Sequence, residues 1–252
     1  MTCSWLCLLF GETIWIHACK KIEGENIVKF ARYIARISIL KTLSINFKLL
    51  PLKQAWKVPI VIGRHTTVDI KGRIKIECPV HTGLIVFGIG GSEDMYHFGL
   101  RRNYLRIQKE NTLVFYGKAV FATHSSVLAA GGDIIFGKNF SCNNGCRIAA
   151  CEGIVFGNDV MLGGNCVIRD SDGHAVMDMD AKGFNKRQKS AKVTIGNHVW
   201  LANNSSVLKG VDIADNVILA YGGVATSSLQ YENAIYAGIP AKIKKQNICW
   251  IK

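Results

Sequence analysis

From residue 136 to residue 228 the chain repeats every six residues, each repeat opening on an apolar side chain and often continuing with a small one. Written in sixes it reads IGNHVW, LANNSS, VLKGVD, IADNVI, LAYGGV and ATSSLQ from Ile195. The same phase gives FGNDVM, LGGNCV and IRDSDG from Phe156, and FGKNFS, CNNGCR and IAACEG from Phe136. A looser set starts at Phe115, Phe121 and Val127, and the weakest at Ile62 and Val68. A period of six is neither the 3.6 of a helix nor a simple alternation. It fits three short flat strands closing one triangular coil of about eighteen residues, with coils stacked as a solenoid. The apolar residue then points into the prism, and the small one is expected to let the backbone turn the corner. A β-sandwich would instead place turn signals every eight to twelve residues. The expected fold is an all-β solenoid with a helical N-terminal segment and one inserted loop.

The repeat breaks at VIRDSDGHAVMDMD, residues Val167 to Asp180. Four aspartates surround His174 there, and the repeat resumes only after residue 191. Residues 170–191 therefore read as a loop leaving one coil. Histidine near a rigid loop stem suits proton transfer, because its ordinary pKa lies near neutrality. The alternative is a solvated loop histidine. His198 and His124 fall at expected corners, and His17, His65, His81 and His97 in non-repeating or weakly repeating stretches.

With 252 residues and 49% hydrophobic composition, the chain can bury a substantial core. A net charge of +13 favours anionic partners, but no nucleic-acid motif accompanies it, so no nucleic-acid partner is expected. Nine cysteines, an odd number without zinc-type pairs, read as reduced thiols of a cytoplasmic protein. No basic stretch precedes the apolar N-terminus and Glu12 interrupts it, so neither a secretory signal nor a spanning helix is expected. The expected division is residues 1–57, partly helical; 58–246, the solenoid; and 247–252, a tail. In the first, Ile27, Phe30, Ala31, Ile34 and Ile37 share one helical face, with Lys29, Arg32 and Arg36 beside it. Such a helix packs on the main domain with a solvated basic side, or meets a membrane surface through it. The latter would hold the protein at the inner face of the membrane.

The stretch from IGNHVW to VATSS, followed by AIYAGIPAKIKK, resembles bacterial hexapeptide-repeat acyltransferases such as the maltose, galactoside, capsule and lipopolysaccharide O-acetyltransferases. The resemblance covers about residues 110 to 246. It implies a left-handed parallel β-helix, a homotrimer with sites between subunits, acetyl-CoA as donor and a saccharide acceptor. It implies that His174 is the catalytic base; among the neighbouring residues Asp172 or Asp170, or a backbone carbonyl, is the candidate to orient it. It places Trp200, Ala202, Asn203, Tyr221, Thr226 and Ser227 along the cofactor, with Lys242 and Lys245 at its phosphates. Tyr221 stands where relatives carry alanine, and Ser227 where they often carry lysine. Asn143 matches a sugar-binding asparagine. Cys151 stands where relatives place an aspartate, with Glu152 beside it, so Glu152 is the acceptor-side candidate and maltose or a galactoside is not expected as acceptor. No H-x4-H pair is present, and no metal is expected. The expected activity is acetyl transfer to a sugar hydroxyl of a surface polysaccharide or its precursor. N-acetylation of a nucleotide-linked amino sugar and a non-catalytic solenoid are the alternatives.

Overall fold

The computed structural model describes residue 31 and residues 33–91, 102–180, 183–186 and 189–251. Ile27, Lys29, Phe30, Arg32, His17 and His97 lie outside them. Three parallel sheets form the faces of a triangular prism. Face 1 holds β1 (Ile60–Ile62), β4 (Ile85–Phe87), β7 (Ala119–Phe121), β10 (Phe140–Cys142), β13 (Met161–Leu162), β18 (Trp200–Leu201), β21 (Ile218–Leu219) and β23 (Ile235–Ala237), closed by antiparallel β24 (Lys242–Lys245). Face 2 holds β2 (Thr66–Ile70), β5 (Asn103–Ile107), β8 (Ser126–Ala129), β11 (Arg147–Ala150), β14 (Val167–Arg169), β19 (Ser206–Val207) and β22 (Val224–Ala225). Face 3 holds β3 (Arg73–Ile76), β6 (Thr112–Phe115), β9 (Asp133–Phe136), β12 (Gly153–Phe156), β17 (Val193–Ile195) and β20 (Asp212–Ile213). This is the parallel β-helix expected. The hairpin β15 (Met177–Asp180) and β16 (Gly183–Lys186) belongs to the inserted loop.

The hexapeptide phase is the inside of the prism. Phe136, Cys142, Ile148, Phe156, Leu162, Ile168, Ile195, Leu201, Val207, Ile213, Leu219 and Ala225 are all buried. Parallel in-register pairing stacks like on like. Phe115, Phe136 and Phe156 are partners in β6, β9 and β12, and their rings stack at 5.0 and 5.3 Å. That spacing is close to the inter-strand distance itself. Full burial of such a side chain contributes about 1.5–3 kcal/mol, once per face per coil.

The small second residue has a different cause from the one expected. The positive φ of the turn falls two residues later, on His124, Gly145, Asn165, Asn204 and Gly222 where face 1 meets face 2. Where face 3 meets face 1 it falls on Asn139, Asp159, His198 and Asn216. These are mostly the residue types that enter the left-handed region at least cost. The second residue is small because the next coil lies against it. A Cβ on Gly137 would sit 2.3 Å from the Gly157 carbonyl oxygen, and one on Gly157 would sit 2.6 Å from Gly196.

The N-terminal end is capped by α1 (Ile39–Leu49) and α2 (Leu52–Ala55). An open first coil would leave unpaired strand edges. Buried Asn46 accepts from the Ile60 N–H and donates to the Ile60 carbonyl, and Thr42 accepts from the Ile62 N–H. Lys41 donates to the Thr66 carbonyl and Gln54 to that of Ile76, so each strand of the first coil is met. The helical face expected to run through Ile37 stops short of it. Ser38 donates to Ile62 and Ile37 bridges Gly63 in extended conformation, and α1 starts only after them.

Candidate active site

The inserted loop leaves where face 2 meets face 3, directly after β14. Its first residue, Asp170, is fully buried. One carboxylate oxygen accepts from Cys151 N–H, and the other from Glu152 and Gly153 N–H, each at 2.7 Å. These donors belong to the corner of the coil beneath. Asp170 thereby ties the loop stem to a closed coil. It does not orient His174, as one expected reading had it.

Above Asp170 the two chains of the neck pair. Ser171 bridges Ser190, Asp172 N–H donates to Lys189 and Ala191 N–H to Asp170. Arg169 Nε donates to the Ser171 carbonyl at 2.7 Å, and Ser190 Oγ to Glu152 at 2.9 Å. Gly173, at φ +83°, lets the chain fold over Ser171 Oγ, which accepts its N–H. His174 follows, exposed, with no hydrogen bond among the described residues. Asp172, the expected orienting partner, instead meets Lys209 Nζ at 2.5 Å. His174 is thus an imidazole open to solvent on a neck whose base is rigid.

The other expected residues divide between two edges of the prism. Asn143, Asn203, Ala202 and Tyr221 lie where face 1 meets face 2. Asn203 Oδ1 accepts from Gly164 N–H, Asn143 Oδ1 from Asn144 N–H, Ala202 is buried and Tyr221 is 72% exposed. Glu152, Asp172, His174, Thr226 and Ser227 lie where face 2 meets face 3. A strand and its turns separate the two edges, roughly 15 Å at about 3.3 Å per residue. One chain therefore does not bring Asn143 or Asn203 to His174. Lys242 pairs with Ala237 and Lys245 with Ile235, so the two exposed lysines sit toward opposite ends of β24. Trp200 is half-buried on face 1, and Trp250 of the C-terminal tail packs 5.9 Å from it.

His198 is structural. Its ring stacks on Trp250 at 4.2 Å, its Nδ1 meets Asn216 Oδ1 at 3.0 Å, and its carbonyl accepts from Trp250 Nε1. Cys142, Cys146 and Cys166 are small core residues. Cys146 donates to the Gly163 carbonyl, and its pKa is pushed well up, first by its hydrogen bond to Cys142, then by that to Cys166 and by burial. No group of three potential metal ligands occurs among the described residues. No helix among them is long and apolar enough to cross a membrane.

Sequence reading missed a groove of about 710 Å³ beside the first edge, lined by Arg102, His124, Ser126, Arg147, Asn165, Asn204 and Ser206. The residues come from successive coils, twenty or more positions apart. Only after folding the repeat onto a prism do His124, Asn165 and Asn204 fall in one column. The groove offers two guanidinium groups, hydroxyls and amides, a donor-rich lining suited to a polar, anionic ligand.

No family model matches the chain. It is 30% identical over 155 residues to the polysialic acid O-acetyltransferase of Escherichia coli O1:K1 / APEC, covering 59% of this chain and 45% of that protein. It is 26% identical over 164 residues to the galactoside O-acetyltransferase of Escherichia coli strain K12, covering 62% of this chain and 77% of that protein. The chain is similar to hexapeptide-repeat O-acetyltransferases. It spans about half the length of the first of these relatives. Among solved structures, the polySia specific acetyltransferase NeuO matches 74% of this chain and 82% of its own at 22% identity, with a TM-score of 0.48.

Proposed function

We propose that the protein is an acetyl-CoA-dependent O-acetyltransferase acting in the cytoplasm on a sugar hydroxyl of a bacterial surface polysaccharide or its precursor. The observation that carries the reading is the opened coil. Where face 2 meets face 3 the solenoid opens after β14, and the opening mounts an exposed imidazole on a neck held by a buried carboxylate with three hydrogen bonds. The similarity to two O-acetyltransferases supports it.

His174 accepts the acceptor's hydroxyl proton as that oxygen forms its bond to the thioester carbon. The carbon–sulfur bond breaks, and the proton passes from the imidazolium to the leaving thiolate. Asn203 and Tyr221 lie along the acetyl-CoA chain, Thr226 and Ser227 along the other edge, and Lys242 and Lys245 offer charge to its phosphates. The exposure of Tyr221 and of both lysines suits them to that contact. The site is built in a homotrimer. Asn143 and Asn203 stand on one edge and His174 on the next, and a second copy laid along face 2 brings one edge of each together. Arg102 and Arg147 in the groove favour an acceptor carrying negative charge.

The test is an acceptor screen with labelled acetyl-CoA over neutral sugars, carboxylated oligosaccharides and nucleotide-linked amino sugars. Base-labile ester on a carboxylated saccharide is expected. Base-stable amide on an amino sugar, or no transfer to any of them, contradicts the reading.

A further inference from the structure

A helix that caps a solenoid should be polar on its outward side. Here the inward face of α1 is Thr42, Ile45 and Asn46, and the outward face is apolar too. Leu40 is 84% exposed, and Ile39, Phe47, Leu52 and Trp56 are exposed around it. Trp56 packs edge-on against Phe47 at 5.2 Å, so α1 and α2 present one continuous outward patch. Exposed Lys48, Lys53 and Lys57 flank it. Residues 26 to 68 of the sequence carry Lys29, Arg32, Arg36, Lys41, Lys48, Lys53, Lys57 and Arg64, and no aspartate or glutamate.

An apolar stripe along a helix with basic residues at its flanks is the signature of an element lying in a membrane interface. We propose that this N-terminal cap docks on an anionic lipid surface, Leu40, Phe47, Leu52 and Trp56 entering the headgroup layer and Lys48, Lys53 and Lys57 meeting lipid phosphates. A second copy is a poorer occupant, because self-association would set the same basic rim against itself. Because Asn46 and Thr42 seat α1 on the edge of β1, the patch faces away from the solenoid. The loop bearing His174 leaves the fifth coil, four coil spacings from β1. At about 4.8 Å per coil it stands roughly 20 Å beyond β1, and α1 adds about 10 Å, a height above the lipid within reach of a saccharide linked to the membrane.

The test is flotation of the full chain with phosphatidylcholine vesicles, with and without phosphatidylglycerol, at low and high salt. The wild type is expected to float only with phosphatidylglycerol present. The variant Lys48→Glu/Lys53→Glu/Lys57→Glu should lose binding on the order of 100-fold, each basic residue contributing several-fold. The variant Leu40→Ser/Leu52→Ser/Trp56→Ser should lose the part of the binding that survives high salt. Both should keep the wild-type melting temperature and oligomeric mass, since the substituted side chains are exposed. A wild type that does not float with phosphatidylglycerol vesicles overturns the proposal. So do variants that float as it does, and so does an apolar variant whose only change is a smaller oligomer.

Discussion

Two corners of the prism use the same device to opposite ends. Where face 3 meets face 1, Asn158, Asn197 and Asp215 stand in a column, and each side-chain oxygen accepts an N–H of the turn in the coil before it. Each turn closes tightly and the chain goes on. Where face 2 meets face 3, Asp170 gives the same kind of cap to Cys151, Glu152 and Gly153, and there the chain departs for some twenty residues. The cap answers how a solenoid can open without unravelling. The donors of the closed coil are satisfied by the first residue of the loop, so whatever follows is free to serve chemistry. The difference lies in burial: Asp170 is inaccessible to solvent, whereas the bonds of the other column are exposed.

That contrast can be broken most forcefully at Asp170. Asp170→Ala leaves three N–H groups without their charged acceptor, that of Gly153 buried and those of Cys151 and Glu152 part-buried, and an orphaned buried group costs about 1–3 kcal/mol. A loss of about 3 kcal/mol or more, read by denaturant unfolding, is expected, with Asp170→Asn intermediate. Asp215→Ala in the exposed column should cost about 1 kcal/mol, as water replaces the lost acceptor. Equal losses at the two positions would remove the distinction between the corners.

A smaller effect sharpens the role of Asp172. Its pair with Lys209 is partly exposed, at 39% and 27%, so Lys209→Met should cost less than about 1 kcal/mol of stability. If the pair braces the neck, Asp172→Asn and Lys209→Met should lower turnover similarly, and the double variant no more than either alone. A loss confined to Asp172→Asn would make Asp172 the partner of His174 during reaction. The smallest effect is expected far from the neck. Lys242→Ala/Lys245→Ala should weaken acetyl-CoA binding measurably at low salt and little at high salt, because exposed charges are screened. Unchanged affinity at low salt would move the phosphate contacts elsewhere.

Much of this architecture is legible in the amino-acid order because a stacked coil is a local object. The residues that fill the prism recur every six positions, and the break at Asp170 is visible as a break. What escaped depends on contacts between coils. The reason for Gly137 and Gly157 lies in a backbone one coil away. Asp172 finds Lys209 across 37 residues, and Trp250 finds His198 across 52. The extended Ile37 is set by its partner Gly63, and no helical periodicity upstream records that partner. The candidate site was legible as residue types and illegible as a place, since its members stand on two edges of one prism.

The central claim is that the coil opens to carry a general base. It is tested most directly by measuring turnover, acetyl-CoA affinity and melting temperature of His174→Ala on a responsive acceptor, beside His198→Ala. Removal of a general base lowers the rate by about 10²–10⁴. The account predicts a loss of that size for His174→Ala, with affinity and melting temperature unchanged, because the ring is exposed and bonded to nothing among the described residues. It predicts for His198→Ala a lower melting temperature, from the lost stacking on Trp250, and a much smaller change in turnover. Near-wild-type turnover of His174→Ala, or a reversed ranking of the two variants, would contradict it.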